Sequence, residues 1–173
     1  MNREELRALQ APWKQRYREQ PSAALITLRA EGKLSEGVSC QVETGRVLVE
    51  AGLHPATGGT GMQACSGDML LQALVACAGV TLSAVATALG IKLRGGRLTA
   101  EGDLDFRGTL GVAQEAPVGF RQIRLGITID TDAGPEERKK LLELTEKYCV
   151  VYQTLRSRPE ISAGYGAGPL AAR

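Results

Sequence analysis

Met69-Leu70-Leu71-Gln72-Ala73-Leu74-Val75-Ala76-Cys77-Ala78-Gly79-Val80-Thr81-Leu82 is the stretch whose reading decides the fold. It belongs to an apolar run from Met69 to Leu89 that Gly90 closes, because glycine readily takes the left-handed conformation that ends a helix. Roughly 20 such residues are enough to cross a bilayer. Against that reading, Gln72, Thr81, Ser83 and Thr87 interrupt the run, and no aromatic or basic belt flanks it. A helix that is apolar on all sides and rich in Ala and Gly suits a position surrounded by protein. The run therefore predicts a buried central helix and no membrane partner.

Upstream, residues 2–19 read as an amphipathic helix. Asn2 and Glu5 have the spacing of a capping box, and Leu6, Leu9, Trp13 and Tyr17 form one stripe. Pro12 is expected to kink or restart it, and Pro21 ends it. Strands are expected over residues 23–29, around Val38, Cys40 and Val42, and over residues 46–51, as an antiparallel meander. Residues 52–67 carry six glycine and proline positions and read as loop.

Downstream, Leu98, Ala100, Gly102, Leu104 and Phe106 alternate with polar residues, as do Ile123, Leu125, Ile127 and Ile129. Each pattern predicts a strand with one buried face. Residues 108–119 link them as a long loop. Pro135 then opens a helix at the position where proline is tolerated, with Leu141, Leu142, Tyr148, Cys149, Tyr152 and Leu155 on one face. Glu136/Lys140 and Glu143/Lys147 are spaced to pair on the other face. Pro159 ends this helix, residues 161–163 are expected to add a short strand, and residues 164–173 form a tail.

A chain of 173 residues holds one domain with a real core. Basic and acidic residues nearly balance, 21 against 19, and no basic tract stands out, so a nucleic-acid partner is not expected. The charged N-terminal segment lacks the apolar core of a signal peptide, which predicts a cytoplasmic protein with reduced thiols. The four cysteines (Cys40, Cys65, Cys77 and Cys149) include no Cys-x-x-Cys pair, and His54 is the only histidine. No metal and no cofactor are expected.

Helical pattern alone makes Cys77 and Cys149 inert core filling, like Cys40 on the apolar face of its strand. For either to react it must be a thiolate. Cys77 lies nine residues into its helix, roughly 14 Å from the helix start, where the dipole no longer helps, and burial raises its pKa. It therefore needs a nearby cation, and the sequence names none. Cys65 precedes an expected N-cap at Ser66 and is an auxiliary candidate, its other reading being a loop cysteine without a role. Asp68 either orients a cation or is a first-turn acid favoured by the dipole. His54 either lines a site mouth or is solvated.

Three segments, in order, resemble the OsmC/Ohr family of thiol peroxidases. They are Ser66-Gly67-Asp68 through Ala76-Cys77, Val118-Gly119-Phe120-Arg121-Gln122-Ile123-Arg124-Leu125, and Glu146-Lys147-Tyr148-Cys149. The resemblance covers residues 23 to 163, after a helical extension over 1–22. It implies an α+β, OsmC-like fold with antiparallel sheets wrapped around a central helix in an intertwined homodimer. It also implies organic hydroperoxide as substrate, Cys77 as the attacking thiol, Cys149 as its resolving partner, and an external thiol or dithiol as reductant. The family's Arg–Glu pair would organise the thiolate. Here Gly67 stands at the Glu position with Asp68 beside it, and Arg29 is the positional match for the Arg. The Cys-Pro of many second motifs is Cys149-Val150. These departures leave open a second function, a non-catalytic OsmC-like module that binds an apolar small molecule at the dimer interface.

Overall fold

The computed structural model describes residues 2–20, 32–35, 39–43, 48–111 and 113–165. Helix α1 (Arg3–Glu19) starts on the expected capping box: Asn2 Oδ1 accepts from the Glu5 amide at 2.9 Å, and Glu5 Oε2 accepts from the Asn2 amide at 2.8 Å. It runs as one helix and does not restart at position 12. The strand expected over residues 23–29, and Arg29 with it, lies outside the described residues.

The first sheet has the order β1-β2-β3-β4, with β1 (Gly32–Ser35), β2 (Ser39–Glu43), β3 (Leu48–Gly52) and β4 (Ala64–Cys65). The first three pair antiparallel and form a meander, while β4 is parallel to β3. β1 was not foreseen, since Gly32-Lys33-Leu34-Ser35 has no alternation to mark it.

Helix α2 (Ser66–Leu89) is the long apolar run. Gly90 caps it at φ 77°, its amide donating to Ala86 and Thr87 carbonyls. Within one chain its buried residues are Leu74, Ala78, Leu82 and Ala86, a single i, i+4 stripe. Among the described residues part of its remaining apolar surface is left open, and Val80 is 73% exposed.

The second sheet pairs β5 (Gly95–Asp103) with β6 (Gln122–Asp130) antiparallel, with Leu98 opposite Ile127, and Ala100 opposite Leu125. Their inward side chains press on α2. β5 stops at Asp103, so Leu104 and Phe106 are not strand residues. Asp105 caps a short helix, α3 (Phe106–Thr109), by accepting from the Arg107 amide at 3.2 Å. Phe120 folds back over Gly102, where any Cβ would collide with its ring.

The expected final helix is two helices, α4 (Pro135–Tyr148) and α5 (Val150–Ser157), broken at Cys149. Leu141 of α4 packs on Leu82 and Ala86, and Cys149 packs on Leu74 and Ala78, so α2 is gripped at two points along its stripe. Of the expected side-chain pairs neither forms among the described residues. Lys140 instead approaches Glu143 at 3.9 Å on the exposed face, where such a pair adds little. Arg158, at φ 47°, ends α5 before Pro159. Residues 161–163 form no strand, and Ile161 is solvent-exposed.

Candidate functional site

The break at Cys149 builds the site. Its backbone (φ −73°, ψ 110°) leaves the helical region for one residue. Its amide still closes α4 on the Thr145 carbonyl at 2.9 Å, and its carbonyl opens α5 by accepting from Gln153 at 2.9 Å. The amides of Val150, Val151 and Tyr152 are therefore first-turn donors with no partner inside α5. In an unbroken helix the Val150 amide would bond to the Glu146 carbonyl. Here the Gln153 side chain takes that carbonyl, Nε2 donating at 2.8 Å.

That break lies beside the two sulfurs. Cys77, half-buried midway along α2, packs in one cluster with Cys149, which is 1% exposed, and both thiols are free. Burial alone pushes the Cys77 thiol up. The Val151 amide, the Cys149 thiol, the Val150 amide and the Thr81 hydroxyl outweigh it together and hold Cys77 below the ordinary thiol range. Burial raises Cys149, and Cys77 beside it raises it further. The Tyr152 and Val151 amides offset this only in part. The result is an asymmetric pair, with Cys77 the better thiolate and Cys149 the better thiol donor.

The positional match for the expected cation, Arg29, lies outside the described residues. Among the described residues none of the groups acting on Cys77 is cationic. The first-turn amides of α5 help lower the Cys77 pKa where its own helix cannot.

Asp68, Cys65 and His54 lie elsewhere. Cys65 itself is the N-cap of α2, one residue earlier than expected, and makes no side-chain capping bond. His54 caps the short turn Pro55–Thr57, with Nδ1 accepting from the Ala56 amide at 3.0 Å, and stacks on Phe106 at 4.7 Å. With Asp68, Leu104 and Phe120 these residues line an open cavity of about 350 Å³. Asp68 precedes Cys77 by nine positions on the same helix, roughly 14 Å along its axis. One chain thus brings Cys77 and Cys149 together and leaves Asp68, Cys65 and His54 as a separate group. Among the described residues no cluster of three acidic, His or Cys side chains is arranged to hold a metal.

Sequence reasoning missed Thr81, Gln153 and the Val150 and Val151 amides. Thr81 was findable, being four residues after Cys77 on the same helical face. The break was not, because Tyr148-Cys149-Val150-Val151-Tyr152 contains neither Gly nor Pro. Val150 holds the first position of α5, a place that tolerates proline.

Residues 59–163, more than half of the chain, match the family of OsmC-like proteins. Solved structures share the fold. An OsmC-like protein from Mycoplasma pneumoniae is 21% identical, with a TM-score of 0.63 over 76% of this chain and 88% of that one. An organic hydroperoxide resistance protein OsmC from Legionella pneumophila is 18% identical, with a TM-score of 0.55 over 77% and 91%. The organic hydroperoxide resistance protein OhrB of Bacillus subtilis is 19% identical, with a TM-score of 0.52 over 77% and 93%. Among curated proteins none matches the chain.

Proposed function

The chain belongs to the OsmC-like protein family, and from that premise we propose that it is a cysteine-based peroxidase that reduces organic hydroperoxides. One observation carries the reading: two free thiols, Cys77 and Cys149, pack in one cluster where α4 gives way to α5, a setting that lowers the Cys77 pKa and raises that of Cys149. The Legionella and Bacillus relatives named for hydroperoxide resistance support the substrate class.

The Cys77 thiolate attacks the terminal oxygen of ROOH. The O–O bond breaks, the alkoxide takes a proton to leave as ROH, and Cys77 becomes a sulfenic acid. The Cys149 sulfur then attacks the Cys77 sulfur, and the hydroxyl leaves with the Cys149 proton as water. An external dithiol reduces the disulfide and restores both thiols as it is itself oxidised. Asp68 and Arg29 are assigned the organising role only if a second subunit brings the α2 N-terminus to Cys77, since one chain keeps Asp68 apart from it. The exposed apolar surface of α2, Val80 foremost, supports such a homodimer. A cytoplasmic location, where a dithiol reductant is available, completes the reading.

Sub-stoichiometric cumene hydroperoxide followed by peptide mapping should yield a Cys77–Cys149 disulfide and one equivalent of alcohol. Free thiols beside unconsumed peroxide would refute the reading. The second reading, a binding module for an apolar small molecule, draws on Gly67 at the family's Glu position and on the absence of a cation acting on Cys77 among the described residues. Ligand binding that persists in Cys77→Ser, in a protein that leaves hydroperoxide intact, would establish it.

A further inference from the structure

A cavity of about 540 Å³ opens where the start of α1 meets the end of α2 and the link into β5, within the size range of small-molecule sites. Its lining holds two cations, Arg3 and Lys92, and no carboxylate. Among the described residues neither cation joins an ion pair. Glu4 and Glu5, the acids that follow Arg3, are not part of the lining, and Glu5 accepts from the Asn2 amide at 2.8 Å. The Thr131 hydroxyl donates to the Lys92 carbonyl at 2.8 Å, but the acids on either side of Thr131, Asp130 and Asp132, both pair with Arg94. Ser83 and Thr87 also line the cavity, and each gives its hydroxyl proton to a helix carbonyl, that of Gly79 at 3.0 Å and of Ser83 at 2.8 Å. Toward a ligand these two hydroxyls are therefore acceptors. Ile91 and Leu93 supply an apolar wall that packs on Leu82 and Leu141.

We propose that this cavity is a second ligand site, for a small phosphate monoester with a hydroxylated body. Charge selects the class: a phosphate monoester carries about −1.5 to −2 at neutral pH and matches two cations, whereas a carboxylate balances only one. Its three terminal oxygens accept from the Arg3 guanidinium and the Lys92 ammonium without sharing an atom. The hydroxyls of the body donate to Ser83 and Thr87, and its carbon skeleton lies on Ile91 and Leu93. Thr87 follows Cys77 by ten residues on α2, about 15 Å along the axis, so the site is separate from the thiol pair and does not rest on the peroxidase reading. A bound ester ties α1 to the end of α2 through contacts that the chain alone does not make.

The test is calorimetric titration of the reduced full chain with ribose 5-phosphate, gluconate and ribose. Wild type should bind one ribose 5-phosphate per chain, gluconate more weakly, and ribose not measurably. Arg3→Gln combined with Lys92→Gln should weaken ribose 5-phosphate by about tenfold, the scale of two exposed charge contacts, with each single change falling between. Arg97→Gln, which removes an exposed cation outside the cavity, should leave the affinity unchanged. No saturable binding of ribose 5-phosphate by wild type, or gluconate bound as tightly, overturns the proposal. So does an affinity that survives the double variant or falls equally in Arg97→Gln. A measurement on wild type alone keeps the test independent of how the variants fold. Ribose 5-phosphate should shift the amide signals of Thr87 and Lys92 in an NMR titration and leave that of Arg158 in place; shifts centred elsewhere overturn the site.

Discussion

Cys65 and Cys77 stand on the same helix and in opposite circumstances. Cys65 occupies the N-cap of α2, the place where a helix offers most to a thiolate, yet its side chain makes no capping bond there. Cys77 sits midway along α2, where that helix offers nothing, yet the first-turn amides of α5 help hold its pKa down. The two regions also differ in company. Around Cys65 are His54, Asp68 and two phenylalanines lining a cavity, and around Cys77 is a second thiol.

The largest effect that separates the regions is on turnover. Cys77→Ser should reduce hydroperoxide consumption to background in a coupled dithiol assay, while Cys65→Ser keeps most of it. Loss of turnover in Cys65→Ser alone would reverse the ranking of the two thiols.

Next in size is the packing that holds α4 and α5 against α2. Leu141 is 1% exposed and anchors α4 on Leu82 and Ala86. Leu141→Ala should cost about 2–5 kcal/mol, read from chemical denaturation. An effect well under 1 kcal/mol would mean that the second grip on α2 is loose.

Smaller is the effect on ionisation. The rate of Cys77 alkylation should rise with pH and reach half its limit below the range of an ordinary thiol, because the thiolate is the favoured form there. Cys149 should be labelled only at higher pH, its thiol form being favoured. Gln153→Leu leaves the Glu146 carbonyl without its partner and invites the Val150 amide back to it. That should move the Cys77 midpoint up, with Gln153→Glu failing to restore it because a carboxylate cannot donate. A midpoint indifferent to Gln153 would show that the break at Cys149 sustains itself.

Most of the fold was legible because it follows from local periodicity. The Asn2/Glu5 box, the Gly90 cap, the Pro135 start and the alternation along β5 and β6 all depend on near neighbours, and all appear as read. Illegible features were those in which another group, near or far, competes with the periodic pattern. Phe106 fits the alternation of β5, yet Asp105 capping the next turn takes it out of the strand. Tyr148 to Tyr152 fits a helix, yet the chain breaks at Cys149, whose side chain packs on Leu74 and Ala78 of α2.

By itself the sequence determined the central apolar helix, the two alternating strands, the cysteine inventory and the family order that singles out Cys77 and Cys149. Helix and strand periods are properties of the chain alone, and so they survive without knowledge of contacts. Only the tertiary structure decided what surrounds Cys77. A backbone amide carries no sequence signature, and whether it is spent within a helix or turned to a sulfur depends on where two helices meet.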